Sequence, residues 1–118
     1  MAGRGYRDLI VWQKAMDLVE NVYRASHSWP AEESYGLTNQ TRRAAVSIPA
    51  NIAEGQVRDS AKEFQHHLSI AKGSLHEVET HLLIAQRLSY VDALACDALL
   101  QQTTEVGRLL YGLRQSLR

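Results

Sequence analysis

An all-α fold, an up-down-up-down antiparallel four-helix bundle, is what this sequence predicts, and three observations predict it. Four successive segments carry apolar residues at alternating steps of three and four, the period of one helix face. No segment alternates apolar and polar residues with period two, as a half-buried strand would. The last three segments are joined by connections of about two to five residues, which force neighbouring helices antiparallel. Four apolar stripes without a sheet leave the bundle as the architecture that buries them all. The 118 residues are the length of one domain. They read as a flexible leader over residues 1–7 and a single bundle over 8–118, with no internal repeat.

The first helix follows the leader. Leu9, Trp12, Met16, Val19 and Tyr23 make one stripe, and Val11, Ala15, Leu18, Val22 and Ala25 a second beside it, so broad burial is expected. Asp8 is placed to cap the start, and the helix should end near Ser26. Residues 26–36 carry the breakers Pro30 and Gly36 and form the longest loop. The second helix runs from Leu37 or Thr38 to Gly55 on the stripe Leu37, Thr41, Ala44, Ile48 and Ile52. Pro49 lies inside it and predicts a kink in a continuous helix, because the period persists across it. Gly55 is placed as a C-cap.

Ser60 and Glu63 form a capping box for the third helix. Its heptad is Phe64, Leu68, Ala71, Leu75, Val78, Leu82 and Ala85, widened by Ile70, Ile84 and Leu88, and it should reach about Ser89. Asp92 caps a fourth helix whose stripe is Leu99, Thr103, Val106, Leu110, Leu113 and Leu117.

Composition narrows the functional classes. The 45% apolar and 22% charged residues are globular. Cys96 is the single cysteine, so no internal disulfide forms and a reducing cytoplasm is the natural compartment. No apolar run approaches the roughly 20 residues of a membrane span, and no signal peptide or anchor is visible. Thirteen basic against thirteen acidic residues give a net charge of zero, so any nucleic-acid binding must come from a local patch.

Chemical motifs are sparse. Glu63-Phe64-Gln65-His66 matches one Glu-x-x-His pair of a bundle di-metal site, but no second pair exists, and a metal or a catalytic residue is not expected. A metal-dependent enzyme would have to use Glu63, His66 and Glu54. The Glu63–His67 and Glu77–His81 pairs, each four apart, read as solvated surface contacts. Cys96, among Ala95, Ala98 and Leu99, reads as a small buried hydrophobe. Gly73 beside Ser74 marks a place for close approach of another helix or subunit, or a tolerated exposed glycine. Trp29 and Tyr35 are expected to pack over the bundle end; ligand capture by their loop is the other reading.

The second helix is less ordinary. Gln40, Arg43, Ser47, Asn51 and Glu54 line one polar, hardly charged face. That face reads either as hydrogen bonding against another protein surface or as an intrachain network fixing helix register. Glu54, an acid in the last turn, opposes the helix dipole and needs a partner, whether Arg58, an arginine on a neighbouring helix or one on another subunit. Arginine outnumbers lysine ten to three, and it favours bidentate contact with phosphate or carboxylate. Arg42 and Arg43 form the tightest basic group, with Arg58 and Lys62 across the next turn. Arg108, Arg114 and Arg118 form a second group, which the helix dipole also favours.

Tyr35-Gly36-Leu37, Gln40, Arg42-Arg43-Ala44 and Ser47-Ile48-Pro49-Ala50-Asn51-Ile52-Ala53-Glu54-Gly55 together resemble the signature of a bacterial four-helix-bundle family. It is named for open reading frames in 23S rRNA intervening sequences. Leu9-Ile10-Val11-Trp12 resembles the family's start, and Phe64 with Leu68-Ser69-Ile70-Ala71-Lys72-Gly73-Ser74 its third helix, followed by Glu77, Glu79 and Thr80. The resemblance covers about residues 6–90, and His66-His67 departs from its pattern. It implies a cytosolic bundle that assembles as a homopentameric ring, with no established enzymatic activity. Similar bundles serve diversity-generating retroelements, where a positive ring binds a reverse transcriptase and nucleic acid. A neutral chain without basic tails does not look like a ribosomal protein.

The expectation is therefore a non-catalytic, self-assembling bundle without cofactor, whose oligomer binds RNA or a nucleic-acid enzyme. Arg42, Arg43, Arg58 and Lys62 would be the contacts, and Gln40, Ser47, Asn51 and Glu54 the oligomer face or polar network. The alternative is a purely structural or regulatory interaction module, in which the same arginines make intersubunit salt bridges.

Overall fold

A computed structural model describes residues 5–118 and contains four helices: α1 (Ile10–Ser26), α2 (Leu37–Gln56), α3 (Ala61–Arg87) and α4 (Ala93–Ser116). Each packs on its two neighbours in the cycle α1–α2–α3–α4, and the diagonal pairs stay apart. The body measures 46 × 25 × 24 Å. One core holds Val11, Ala15, Leu18 and Val22 of α1 and Ala44, Ala45, Ile48 and Ile52 of α2. Leu68, Ala71, Leu75, Val78, Leu82 and Ala85 of α3 meet Cys96, Leu99, Val106 and Leu110 of α4 there. The Cys96 thiol points at the Leu82 carbonyl, 3.6 Å away, and burial, then the nearby Asp97 charge, push its pKa up. It is the inert small hydrophobe its neighbours suggested.

The stripe of Val11, Ala15, Leu18 and Val22 is core, while of the other α1 stripe Leu9, Trp12 and Val19 pack partly buried against its edge. Met16 and Tyr23 are more than 40% exposed, because a helix at the corner of a square bundle buries one arc of its surface. The same geometry leaves Ile70, Ile84 and Leu88 of α3 exposed instead of widening its buried stripe. The residues N-terminal to α1 also differ from expectation. Gly5–Asp8 form a 3-10 turn, and Tyr6 packs edge-on against Trp12 with ring centroids 5.3 Å apart. Leu9, not Asp8, occupies the N-cap position, and its apolar side chain makes no cap bond. Residues 1–4 of the leader lie outside the described residues.

The N-termini of the other three helices are held by side chains. Ser60 Oγ accepts from the Glu63 amide at 3.1 Å, and Asp92 Oδ1 accepts from the Ala95 amide at 2.7 Å. Gly36 at the N-cap of α2 has no side chain to offer. Glu33, in the 3-10 turn Ala31–Glu33, does the work instead: Oε1 accepts from the Leu37 amide at 3.1 Å and Oε2 from the Tyr90 hydroxyl at 2.8 Å. The Leu37 amide first, then Tyr90, hold the Glu33 carboxyl below its ordinary pKa, and the Glu33 bond pushes the Tyr90 phenol up.

The signs are opposite for the two groups. Glu33 contributes stability above the usual carboxylate range, lost as pH falls through its depressed pKa. Tyr90 contributes below the usual phenol pKa of 10.0, lost as pH rises through its raised value. Thermal midpoints measured across pH should therefore show an acid-side loss that Glu33→Gln flattens and an alkaline loss that Tyr90→Phe flattens. Unchanged slopes in both variants would remove the pair from the account.

The α3 terminus is a Schellman motif. Tyr90 N donates to Ala85 O at 2.9 Å and Ser89 N to Gln86 O at 3.0 Å, with Ser89 at φ 64°. The left-handed residue forces the chain to turn before the expected end at Ser89. A side chain there is strained, so Ser89→Gly should raise stability by about 0.5–1 kcal/mol in urea denaturation.

Candidate functional site

The candidate residues of α2 are divided by the helical period. Adjacent residues point roughly 100° apart on a helix, so Arg42 and Arg43 serve different neighbours. Arg42 turns to α1: Nε donates to Ser26 Oγ at 2.8 Å, a terminal nitrogen to Tyr23 O at 3.2 Å, and the guanidinium lies 4.6 Å from the Tyr23 ring centroid. It satisfies carbonyl and hydroxyl groups in the last turn of α1, where a cation also suits the dipole. Arg42 is a bridge between two helices, not a free cation.

Arg43 is exposed and has no bonding partner among the described residues, in a groove between α2 and α3 lined also by Gln40, Ser47, Ser74 and Glu77. Arg58 and Lys62 lie at the far end of α2, roughly 20 Å along its axis from Arg43. They line a hollow with Glu63, His66 and His67. Arg58 pairs with Glu54 at 2.5 Å, which is the first of the partners open to Glu54. Both side chains are about half exposed, so the pair opens at little cost. Lys62 is exposed and, among the described residues, unpaired. The four cations thus do not form one patch on this chain.

The polar face of α2 divides too. Asn51 Nδ2 donates to Ser47 O and Oγ at 2.9 and 3.0 Å, while its Oδ1 meets His67 Nδ1 at 3.1 Å. Ser74 Oγ donates to Ser47 Oγ at 2.8 Å. Ser47 and Asn51 therefore belong to an intrachain network that sets α2 against α3, whereas Gln40 and Glu54 remain exposed outside it. Directly below, Gly55 lets the helices close: a Cβ there would lie 2.7 Å from His67 Cβ and 2.9 Å from Phe64 Cδ1. Gly55 is inside the last turn, not the C-cap, which is Val57. Its smallness is used for packing and not for a left-handed conformation.

Two surface-pair readings are corrected by this packing. His67 turns to Asn51 instead of Glu63. His81 is buried at 8% exposure with Nδ1 unpartnered, so Glu77–His81 is not a solvated pair. Trp29 is buried against Tyr90, ring centroids 6.2 Å apart, but Tyr35 is 96% exposed and covers nothing. Gly73 has open space where a Cβ would stand, so no other helix of this chain approaches it. Among the described residues, no three His, Cys, Asp or Glu side chains converge on a metal position. None of the helices is long and apolar enough to cross a membrane.

The surface has one further feature that periodicity alone did not single out. Val46, Ala50, Ala53 and Val57 recur at steps of four, three and four on the outward face of α2, with Val46 and Val57 43% and 65% exposed. Met16 and Tyr23 share the adjoining flank of α1, Tyr23 lying under Arg42. On α3, Ile84 and Leu88 lie one turn apart and exposed at its C-terminal end, whereas Ile70 is exposed two heptads earlier, with Glu77 on the same face between them. The signal was present in the sequence, as an uncharged row on a helix whose core stripe was already accounted for.

The fold is shared with a protein of known structure. A protein of unknown function from the S23 ribosomal protein family of Bacteroides thetaiotaomicron has a similar structure, with TM-score 0.80 at 23% identity over 89% of this chain and 98% of that one. That likeness is one of fold. No curated protein matches the sequence significantly. The family model described as 23S rRNA-intervening sequence protein matches residues 7–112, which takes in all of α1 to α3 and most of α4. The chain belongs to the family of 23S rRNA-intervening sequence proteins.

Proposed function

We propose that this protein is a non-catalytic, self-assembling scaffold of the cytoplasm that works as a homopentameric ring. The observation that carries the reading is the uncharged outward row Val46, Ala50, Ala53 and Val57, continued by Met16 and Tyr23. Contiguous exposed apolar surface marks an interaction site. A closed ring needs two different patches that meet head to tail, and exposed Ile84 and Leu88 at the C-terminal end of α3 supply the second. Five copies is the number that the family resemblance implies. Light scattering at low and at high salt should give a particle of five times 13.3 kDa, about 66 kDa, at both. Ala50→Glu with Ala53→Glu should reduce it to single chains without loss of helicity. A wild-type particle of 13.3 kDa at both salts would overturn the reading.

A second element of the proposal is RNA, or a nucleic-acid enzyme, as the ring's partner. It is favoured by Arg43 and Lys62, which are exposed and unpaired among the described residues, and by Arg58, whose surface ion pair opens readily. One copy offers too little charge for tight binding, but each phosphate neutralised around a ring adds to affinity and to its salt dependence. Arg42 is left intact in the test because it holds α1. Arg43→Glu with Lys62→Glu should abolish salt-sensitive retention of RNA on a filter while the particle mass stays unchanged. Unaltered retention would exclude these contacts. Loss of the particle would instead assign the cations to intersubunit salt bridges, the purely structural alternative.

A further inference from the structure

The groove between α3 and α4 has the layout of a small-ligand site that neither the ring nor the arginines of α2 require. It encloses about 250 Å3. Its floor is Leu75, Leu110 and Gly107; a Cβ on Gly107 would stand 3.3 Å from Leu75 Cδ2, so the glycine keeps the floor low. Glu79 stands at one end, half-buried, with Oε2 2.8 Å from the hydroxyl of the fully buried Thr103, whose single proton it shares with the Leu100 carbonyl, also at 2.8 Å. No cation of the described chain pairs with that carboxylate, and its other oxygen has no donor.

Lys72 lies one heptad before Glu79 on the same face of α3, roughly 10 Å along the groove. It is exposed and, among the described residues, unpaired. Arg114 lines the same groove from α4, and its side chain has only a 3.4 Å bond from Nε to Gln65 Oε1. Between the charged ends stand the rings of His76 and Tyr111, the latter 66% exposed. A lysine, an arginine held by one long bond, two rings and an acceptor-only carboxylate in that order suit an anionic group joined to a flat ring whose far edge carries donors. A phosphate meets the cations, and a nucleobase stacks on the rings. Guanine alone of the four common bases presents adjacent N–H donors, at N1 and N2, to a carboxylate; adenine turns its N1 lone pair toward it.

We infer that the α3–α4 groove binds a 5′-phosphorylated guanosine, its base edge on Glu79 and its phosphate on Lys72 and Arg114. The proposal does not depend on the ring. It is tested by titrating the full isotopically labelled chain with GMP, AMP and guanosine and following backbone amide resonances. GMP should shift residues of α3 and α4 and bind roughly tenfold more tightly than AMP, as loss of a bidentate base contact implies. Glu79→Gln, which keeps an acceptor for Thr103, should erase the preference for GMP over AMP. Lys72→Ala with Arg114→Ala should erase the preference for GMP over guanosine. The dinucleotide pGpU separates the two sources of this chemistry: binding at least as tight as GMP assigns the groove to an RNA 5′ end, and weaker binding assigns it to the free nucleotide. No response to GMP, or equal binding of GMP and AMP by the native chain, overturns the inference.

Discussion

Gly55→Ala should cost about 1–3 kcal/mol of folding stability, the range for overpacking a close contact. The added methyl group would meet His67 Cβ at 2.7 Å and Phe64 Cδ1 at 2.9 Å, with the Phe64 carbonyl at 3.3 Å. His67 Cβ sits one bond from the backbone, so α3 itself has to move away from α2. That movement pulls on the bond between His67 Nδ1 and Asn51 Oδ1 and on the Ser47–Ser74 contact one turn beyond. The loss should therefore exceed what one methyl group would produce alone. Gly73→Ala is the matched control, because a Cβ there meets nothing within 4 Å. In a helix interior it should stabilise the chain by about 0.5–1 kcal/mol. Urea denaturation of both variants checks the pair, and equal midpoints would show that the α2–α3 contact is looser than described.

Ile48→Ala should cost about 2–5 kcal/mol, with Ile48→Val at about 0.5–1.5. Ile48 is fully buried and lies next to Pro49, inside the continuous helix α2. The proline has no N–H to give the Ala45 carbonyl, and a helix-interior proline opposes helix formation by about 3 kcal/mol. Burial of Thr41, Ala44, Ala45, Ile48 and Ile52 must offset that cost, so α2 depends on packing more than its length suggests. The same urea series measures it. A loss below about 1 kcal/mol for Ile48→Ala would mean that the core collapses around the gap.

The local rules read well where the chain is its own context. The Ser60 and Asp92 caps, the heptad of α3 and the stripe of α4 depend on residues within a turn or two of each other, and the structure places them as expected. The start of α1 did not follow its local signal. Asp8 has the right chemistry for a cap, but the preceding residues coil into a 3-10 turn that sets Leu9 at the boundary. Glu33 was missed as the cap of α2 because its partners, Leu37 and Tyr90, are joined by a loop and by a bond across 57 positions.

The candidate site was legible in type and not in assignment. A polar face on α2 is plain from Ser47 and Asn51, yet nothing in their spacing says whether α3 or another molecule answers them. Ser74 and His67 do, and that is a fact of helix packing. Arg42 and Arg43 are neighbours on paper and separate in space, one spent on Ser26 and Tyr23, the other exposed.

By itself the sequence determined the all-α class, the order and approximate bounds of four helices and the membership of a family, because helical periodicity and caps are short-range. Only the tertiary structure decided which of two apolar stripes on α1 is core, what Gly55 is for, which polar residues are consumed and which cations stay free. Those outcomes depend on the azimuth at which each helix meets its neighbours. Azimuth is set by the joint packing of all four helices, and no single stripe contains it.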